Sequence, residues 1–131
     1  MWLENNREHE HIFKLMEDIS MQAYNVAQHF RLEVEDEDDW HYHQLTSIIL
    51  GNNKVRLGII QPGNTQDNME VKVEFNNKPY FNYEGKMPQP NQTPMFLKKI
   101  KDAIYKAVLD MHKVEGKEFR LPPSDRNQGI N

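Results

Sequence analysis

Residues 69–85, MEVKVEFNNKPYFNYEG, decide the architecture of this chain. From Met69 to Phe75 apolar and charged residues alternate, with Met69, Val71, Val73 and Phe75 on one side and Glu70, Lys72 and Glu74 on the other. Side chains of a strand point alternately to opposite faces, so this is a strand with one buried and one polar face. The connection NNKP then leads straight into a second strand candidate, YFNYEG. A link that short joins antiparallel neighbours and cannot accommodate a crossover.

Working outward, VRLGII at 55–60 places Val55, Leu57 and Ile59 on one face, and GNNK before it reads as a hairpin turn. WHYHQLTSIIL at 40–50 is rich in strand formers, and RLEVE at 31–35 is a short strand candidate ahead of an acidic turn at 35–39. QPGNTQDN at 61–68 is loaded with turn residues. Two amphipathic helices flank this β region. In the first, about 6–30, Ile12, Leu15, Met16, Ile19, Ala23, Val26, Ala27 and Phe30 recur at helical spacing, and Asn5 with Glu8 resembles a capping pair. The second begins with Thr93 as N-cap and Pro94 at the first helical position. It runs to about His112 with Phe96, Leu97, Ile100, Ile104, Ala107, Val108 and Met111 as its stripe.

The expected fold is therefore α+β, in the order α-β-β-β-β-β-α, an antiparallel meander with both helices on one sheet face and the other face open. Residues 1–116 are expected to form a single domain, and 117–131, with their Pro-Pro break, an extended or disordered tail.

Composition narrows the function. The 131 residues contain no cysteine, which removes disulfides, thiolate metal sites and cysteine nucleophiles. A net charge of −4 argues against broad nucleic-acid binding. The N-terminus has neither the basic nor the apolar region of a secretory signal, and no apolar run approaches the ~20 residues of a membrane span. A cytoplasmic protein with no membrane association is the expectation. Asn-Asn occurs three times, a bias in keeping with a bacterial or phage source. There is no phosphate loop, nucleophile elbow or HExxH motif, so no enzyme activity and no cofactor are expected.

The surface candidates centre on EDEDDWHYHQ, residues 35–44. If His41 and His43 lie in a strand they share a face, and an acid from Asp36, Asp38 or Asp39 could complete a metal set; a solvent-facing pair is the simpler reading. His9 and His11, two apart on a helix, point to opposite faces. His29 and His112 suit a helix C-terminus. Strict alternation would make the strand at 40–50 apolar on both sides, with Trp40, Tyr42, Ile48 and Leu50 on one and Leu45 and Ile49 on the other. Either a β-bulge near His43–Gln44 resets the register, or Trp40, Tyr42, Ile48 and Leu50 form an exposed apolar patch that a partner covers. The polar face should also carry Arg56, Lys72, Glu70 and Glu74, with an aromatic such as Tyr80.

The leading expectation is a non-catalytic protein of inhibitor, chaperone or adaptor type. It would capture a protein partner through the open sheet face (Trp40, Tyr42, Ile48) and act as a homodimer. The alternative is sequestration of a small anionic ligand, a nucleotide, by Arg56, Lys72 and Tyr42 or Tyr80. A metal-binding protein using His41 and His43 comes third.

Helix, antiparallel meander, helix in a small acidic chain resembles the frataxin-type folds and the dimeric chaperones of secretion systems. The acids Glu8, Glu10, Glu17, Asp18 and those between Glu33 and Asp39 fit the acidic first helix and strand of the former. The resemblance implies the fold alone, because unrelated functions share folds.

Overall fold

A computed structural model describes residues 2–61 and 68–116, with side chains from Ile12 onward. The tail at 117–131, most of the turn at 61–68 and the side chains of His9 and His11 lie outside the described residues. The elements are α1 (Trp2–Phe30), β1 (Glu33–Glu37), β2 (Gln44–Leu50), β3 (Asn53–Ile60), β4 (Asn68–Phe75), β5 (Lys78–Lys86) and α2 (Thr93–Val114). The strands form one antiparallel sheet in the order β1-β2-β3-β4-β5, the expected meander. Helix α1 packs on β1 and β2, and α2 on β3, β4 and β5, both on the same face.

Register carries the alternation of β4 across the sheet. Val55 stands opposite Phe75, Leu57 opposite Val73 and Ile59 opposite Val71, and these side chains are all buried beneath the helices. The turn into β5 uses Asn76 and Asn77, both with positive φ (53° and 62°). Asparagine tolerates this conformation, and its twist matches that of the flanking strands. Helix α1 ends in a Schellman arrangement: Leu32 N–H donates to the Ala27 carbonyl, and Arg31 adopts φ 60°. The stripes foreseen for both helices, from Ile12 to Phe30 and from Phe96 to Met111, line a single core. At the far end of α2 the Glu115 carboxylate accepts the Asn52 N–H and the Asn53 amide, tying the helix to the β2–β3 turn.

Several local expectations are corrected. Thr93 is the first helical residue and Gln92 precedes it at the cap without a side-chain cap bond; the Gln89 carbonyl accepts both the N–H and the hydroxyl of Thr93. The acids at 35–37 are not a turn but part of β1, where an edge strand lets their carboxylates reach water. His112 does lie in the last turn of α2 as expected, and it is buried there, its Nδ1 2.9 Å from the Val108 carbonyl and its ring against Phe30.

Tyr80 is the largest displacement. The register shifts between Val73 and Glu74, so that Phe81 pairs with Val73 while Pro79 pairs with Glu74. The extra residue, Tyr80, turns to the helix side and donates to Asp110 on α2 at 2.5 Å. Burial, then the hydrogen bond and charge of Asp110, push its phenol up to about 12. A raised folded-state value contributes stability that is complete below the free value of 10.0 and is lost as pH rises toward 12. Tyr80→Phe should therefore cost about 1 kcal/mol in urea unfolding at neutral pH. It should also delete the highest step of the alkaline absorbance titration.

Candidate functional site

With both helices on one face, the other face of the sheet is open among the described residues, and its membership follows from register. Glu33, Glu35 and Glu37 come from β1, and Leu45, Ser47 and Ile49 from β2. Strand β3 adds Lys54, Arg56, Gly58 and Ile60, β4 adds Glu70, Lys72 and Glu74, and β5 adds Asn82 and Glu84. Of the residues proposed from sequence, Arg56 and Lys72 lie here as expected. Ile48 does not: opposite Val55 it points into the core and is 1 % exposed. Leu50 likewise packs against the core.

The parity problem of residues 40–50 has a specific resolution. Residues 38–43 are not strand but a turn, in which the Asp39 carboxylate accepts the His41 N–H at 2.9 Å and the Asp39 carbonyl accepts the Tyr42 N–H at 3.0 Å. The His43 N–H then donates to Ile59 at 2.8 Å and the ladder begins. The turn resets the alternation without a bulge. Tyr42 lands on the open face, Thr46, Ile48 and Leu50 on the helix face, and Trp40 at the tip, 91 % exposed.

Gly58 explains the placing of Tyr42. A Cβ at residue 58 would lie 2.3 Å from the Tyr42 ring, so the phenol packs on backbone that only a glycine leaves bare. Leu45, directly across from Gly58, is only 2 % exposed although it stands on the open face and outside the main core. Tyr42, Gly58 and Leu45 thus make a small second apolar cluster. Sequence reading missed it; the signal was the lone glycine in VRLGII, which marks a close approach.

Beside this cluster the face is charged. Glu37 accepts the Ser47 hydroxyl and lies 3.5 Å from Lys54 Nζ, which is also 3.9 Å from Glu35. The Ser47 hydrogen bond, with the Lys54 and Arg56 charges, holds the Glu37 carboxyl below the usual glutamate value. Lys72 pairs with Glu70 at 3.4 Å. Arg56, opposite Glu74 and Ser47, has its Nε buried without a hydrogen-bond partner. An anion placed between Arg56 and Lys72 would meet Glu37, Glu70 and Glu74 as well, and Tyr80 is on the far side of the sheet. Of the residues of the nucleotide reading, Tyr80 is thus separated from Arg56 and Lys72, while Tyr42 shares their face.

His41 and His43 are exposed and belong to the turn, so the strand spacing that would let them share a metal is not formed. Among the described residues no three histidine or carboxylate side chains group as metal ligands, and no helix is long and apolar enough to cross a membrane. The helix side holds a cavity of about 530 Å³ at the start of α2, walled by Phe81, Tyr83, Met95 and Phe96. Its rings meet edge to face at 5.0 and 5.9 Å. No protein-family model, curated protein or solved structure matches the chain.

Two measurements check this face. Gly58→Ala should cost about 1–3 kcal/mol by overpacking, whereas in a Tyr42→Ala background the same change should be neutral or stabilising by up to about 1 kcal/mol. Because the Glu37 value is depressed, its contribution is present above the unfolded glutamate value and lost as pH falls through the folded one. A carboxyl NMR titration should show Glu37 among the last glutamates to protonate, and Ser47→Ala should raise its midpoint.

Proposed function

We propose that this chain is a non-catalytic binding protein that captures a protein partner through the open face of its sheet. The observation that carries the reading is Trp40: an indole 91 % exposed, held in a hydrogen-bonded turn at the edge of that face. Fixed aromatic rings bind at low entropic cost, and Trp, Tyr and Arg are the side chains that most often dominate interface energetics. Tyr42 and Arg56 supply the other two on the same face. Tyr42 packs against Gly58, and the Arg56 Nε is buried without a hydrogen-bond partner. The acids of β1 form the polar rim around them. In this reading the protein is a cytoplasmic homodimer.

Affinity capture from the source cells with paired baits tests the reading. Wild type and a Lys98→Glu variant on α2 should retain the same specific protein, and Trp40→Ala and Arg56→Glu should lose it, with light scattering reporting a dimer in all four. Retention by the Trp40→Ala and Arg56→Glu baits would overturn the reading.

A further inference from the structure

Among the described residues the sheet ends in two edge strands, β1 and β5, and they are chemically unlike. Strand β5 carries Lys78, Glu84 and Lys86, and its start is broken by Pro79 and by the irregularity opposite Val73 and Glu74. Proline has no N–H for a ladder, and an irregular edge resists further pairing. Strand β1 is regular along its length, paired with β2 on one side and, among the described residues, with nothing on the other.

Six of the seven residues from 33 to 39 are acids, and they flank that free edge on both faces of the sheet. Glu33, Glu35 and Glu37 lie on the open face. On the helix side Asp36 accepts the Tyr24 phenol at 2.8 Å and the Thr46 hydroxyl at 3.1 Å. Between α1 and β1 on that side is a cavity of about 340 Å³. Glu17, Asp18, Ser20, Met21, Tyr24 and Asp36 line it; Lys14, also at its wall, is committed to Asp18 at 2.9 Å. Ser20 is only 5 % exposed, and its hydroxyl has no hydrogen-bond partner. A buried hydroxyl without a partner is uncommon, and at the wall of a cavity it marks a place where a polar group is missing.

We propose that β1 is a docking edge for a basic, extended segment of the protein partner, which adds to the sheet as a sixth strand. The proposal rests on the partner-capture reading and specifies the partner's chemistry. Strand addition satisfies the free backbone groups of the edge, and side chains alternating to the two faces supply the specificity. On the helix side a lysine or arginine of the segment enters the cavity. Its stem lies along Met21 and Tyr24, and its head reaches Glu17, Asp18 and the Ser20 hydroxyl. On the open face the neighbouring residues meet Glu33, Glu35 and Glu37, and the segment runs toward Trp40. The same carboxylates make β1 repel a second β1, so the edge that excludes self-pairing selects a partner of opposite sign.

The probe is an acetylated, amidated heptapeptide alternating lysine with valine, compared with the same peptide N-methylated at every second residue. The N-methylated form keeps every charge and loses strand hydrogen bonds. By fluorescence anisotropy the parent should bind and the N-methylated peptide should bind about tenfold more weakly or worse. Only the parent should slow amide exchange within 33–37. A Glu17→Lys, Glu35→Lys double variant with a wild-type circular dichroism spectrum should lose the parent. Equal affinity for the two peptides, no binding of either, or protection appearing at 78–86 would overturn the proposal. If any of these occurs while Trp40→Ala and Arg56→Glu still abolish capture, strand addition alone falls. If those baits retain the captured protein, the wider reading falls first.

Discussion

The register between β3 and β4 is the constraint from which the rest of the molecule follows. Val71, Val73 and Phe75 must face Ile59, Leu57 and Val55, because a slip of one residue would exchange the buried and exposed faces of both strands. Once that pairing is set, the sides of the other strand residues follow outward through β2 and β5, up to the irregularity at Tyr80. Each helix has one apolar stripe, and both stripes can be covered only on the face where these six residues stand. The open face is thus a consequence of core formation. Its chemistry is free to vary because it contributes little to the main core.

That freedom is visible in how charge is distributed. Acids gather at β1 and at the turn after it, while α2 at the other side carries Lys98, Lys99, Lys101, Lys106 and Lys113 against Asp102 and Asp110. A chain whose net charge is only −4 therefore presents an acidic flank and a basic one. Arg56 sits between them, close enough to help hold Glu37 ionised, with its Nε unanswered. Tyr42 beside it is fixed by shape, since only a glycine at 58 leaves room for the ring. The face thus combines an aromatic packed on backbone, a cation whose Nε is buried without a partner, and a rim of carboxylates.

The parts of this arrangement that were legible in the sequence are those governed by periodicity. The alternation of Met69–Phe75, the stripes of both helices and the side taken by Arg56 and Lys72 depend only on spacing, and all four appear as read. The parts that were not legible depend on a single local event. Tyr80 faces α2 because one irregularity opposite Val73 and Glu74 shifts β5 by a residue, and nothing in YFNYEG marks which residue is extra. Ile48 and Leu50 turn inward because the hydrogen bonds that Asp39 accepts from His41 and Tyr42 close a turn at 38–43 before the strand begins. Trp40 to His43 has the composition of a strand, but Asp39 before it accepts the N–H groups of His41 and Tyr42 and breaks the count. The acids at 35–37 read as a turn because charge runs usually are turns; on an edge strand their exposure has no cost that Lys54, Ser47 and water do not offset.

The turn at 38–43 does more than break the alternation. By ending β1 with acids and restarting the chain with Trp40, it sets an exposed indole at the corner where the open face meets the free edge of the sheet. A bulge at His43–Gln44 would have carried the strand through Trp40 and placed that ring against a face. A six-residue connection lifts it clear, while Tyr42, two residues on, is pressed onto Gly58 and anchors the turn from beneath. Exposure of Trp40 and burial of Leu45 are thus two results of one hydrogen-bonded turn. Any partner that uses the indole must also approach the acids of β1, because the same six residues deliver both.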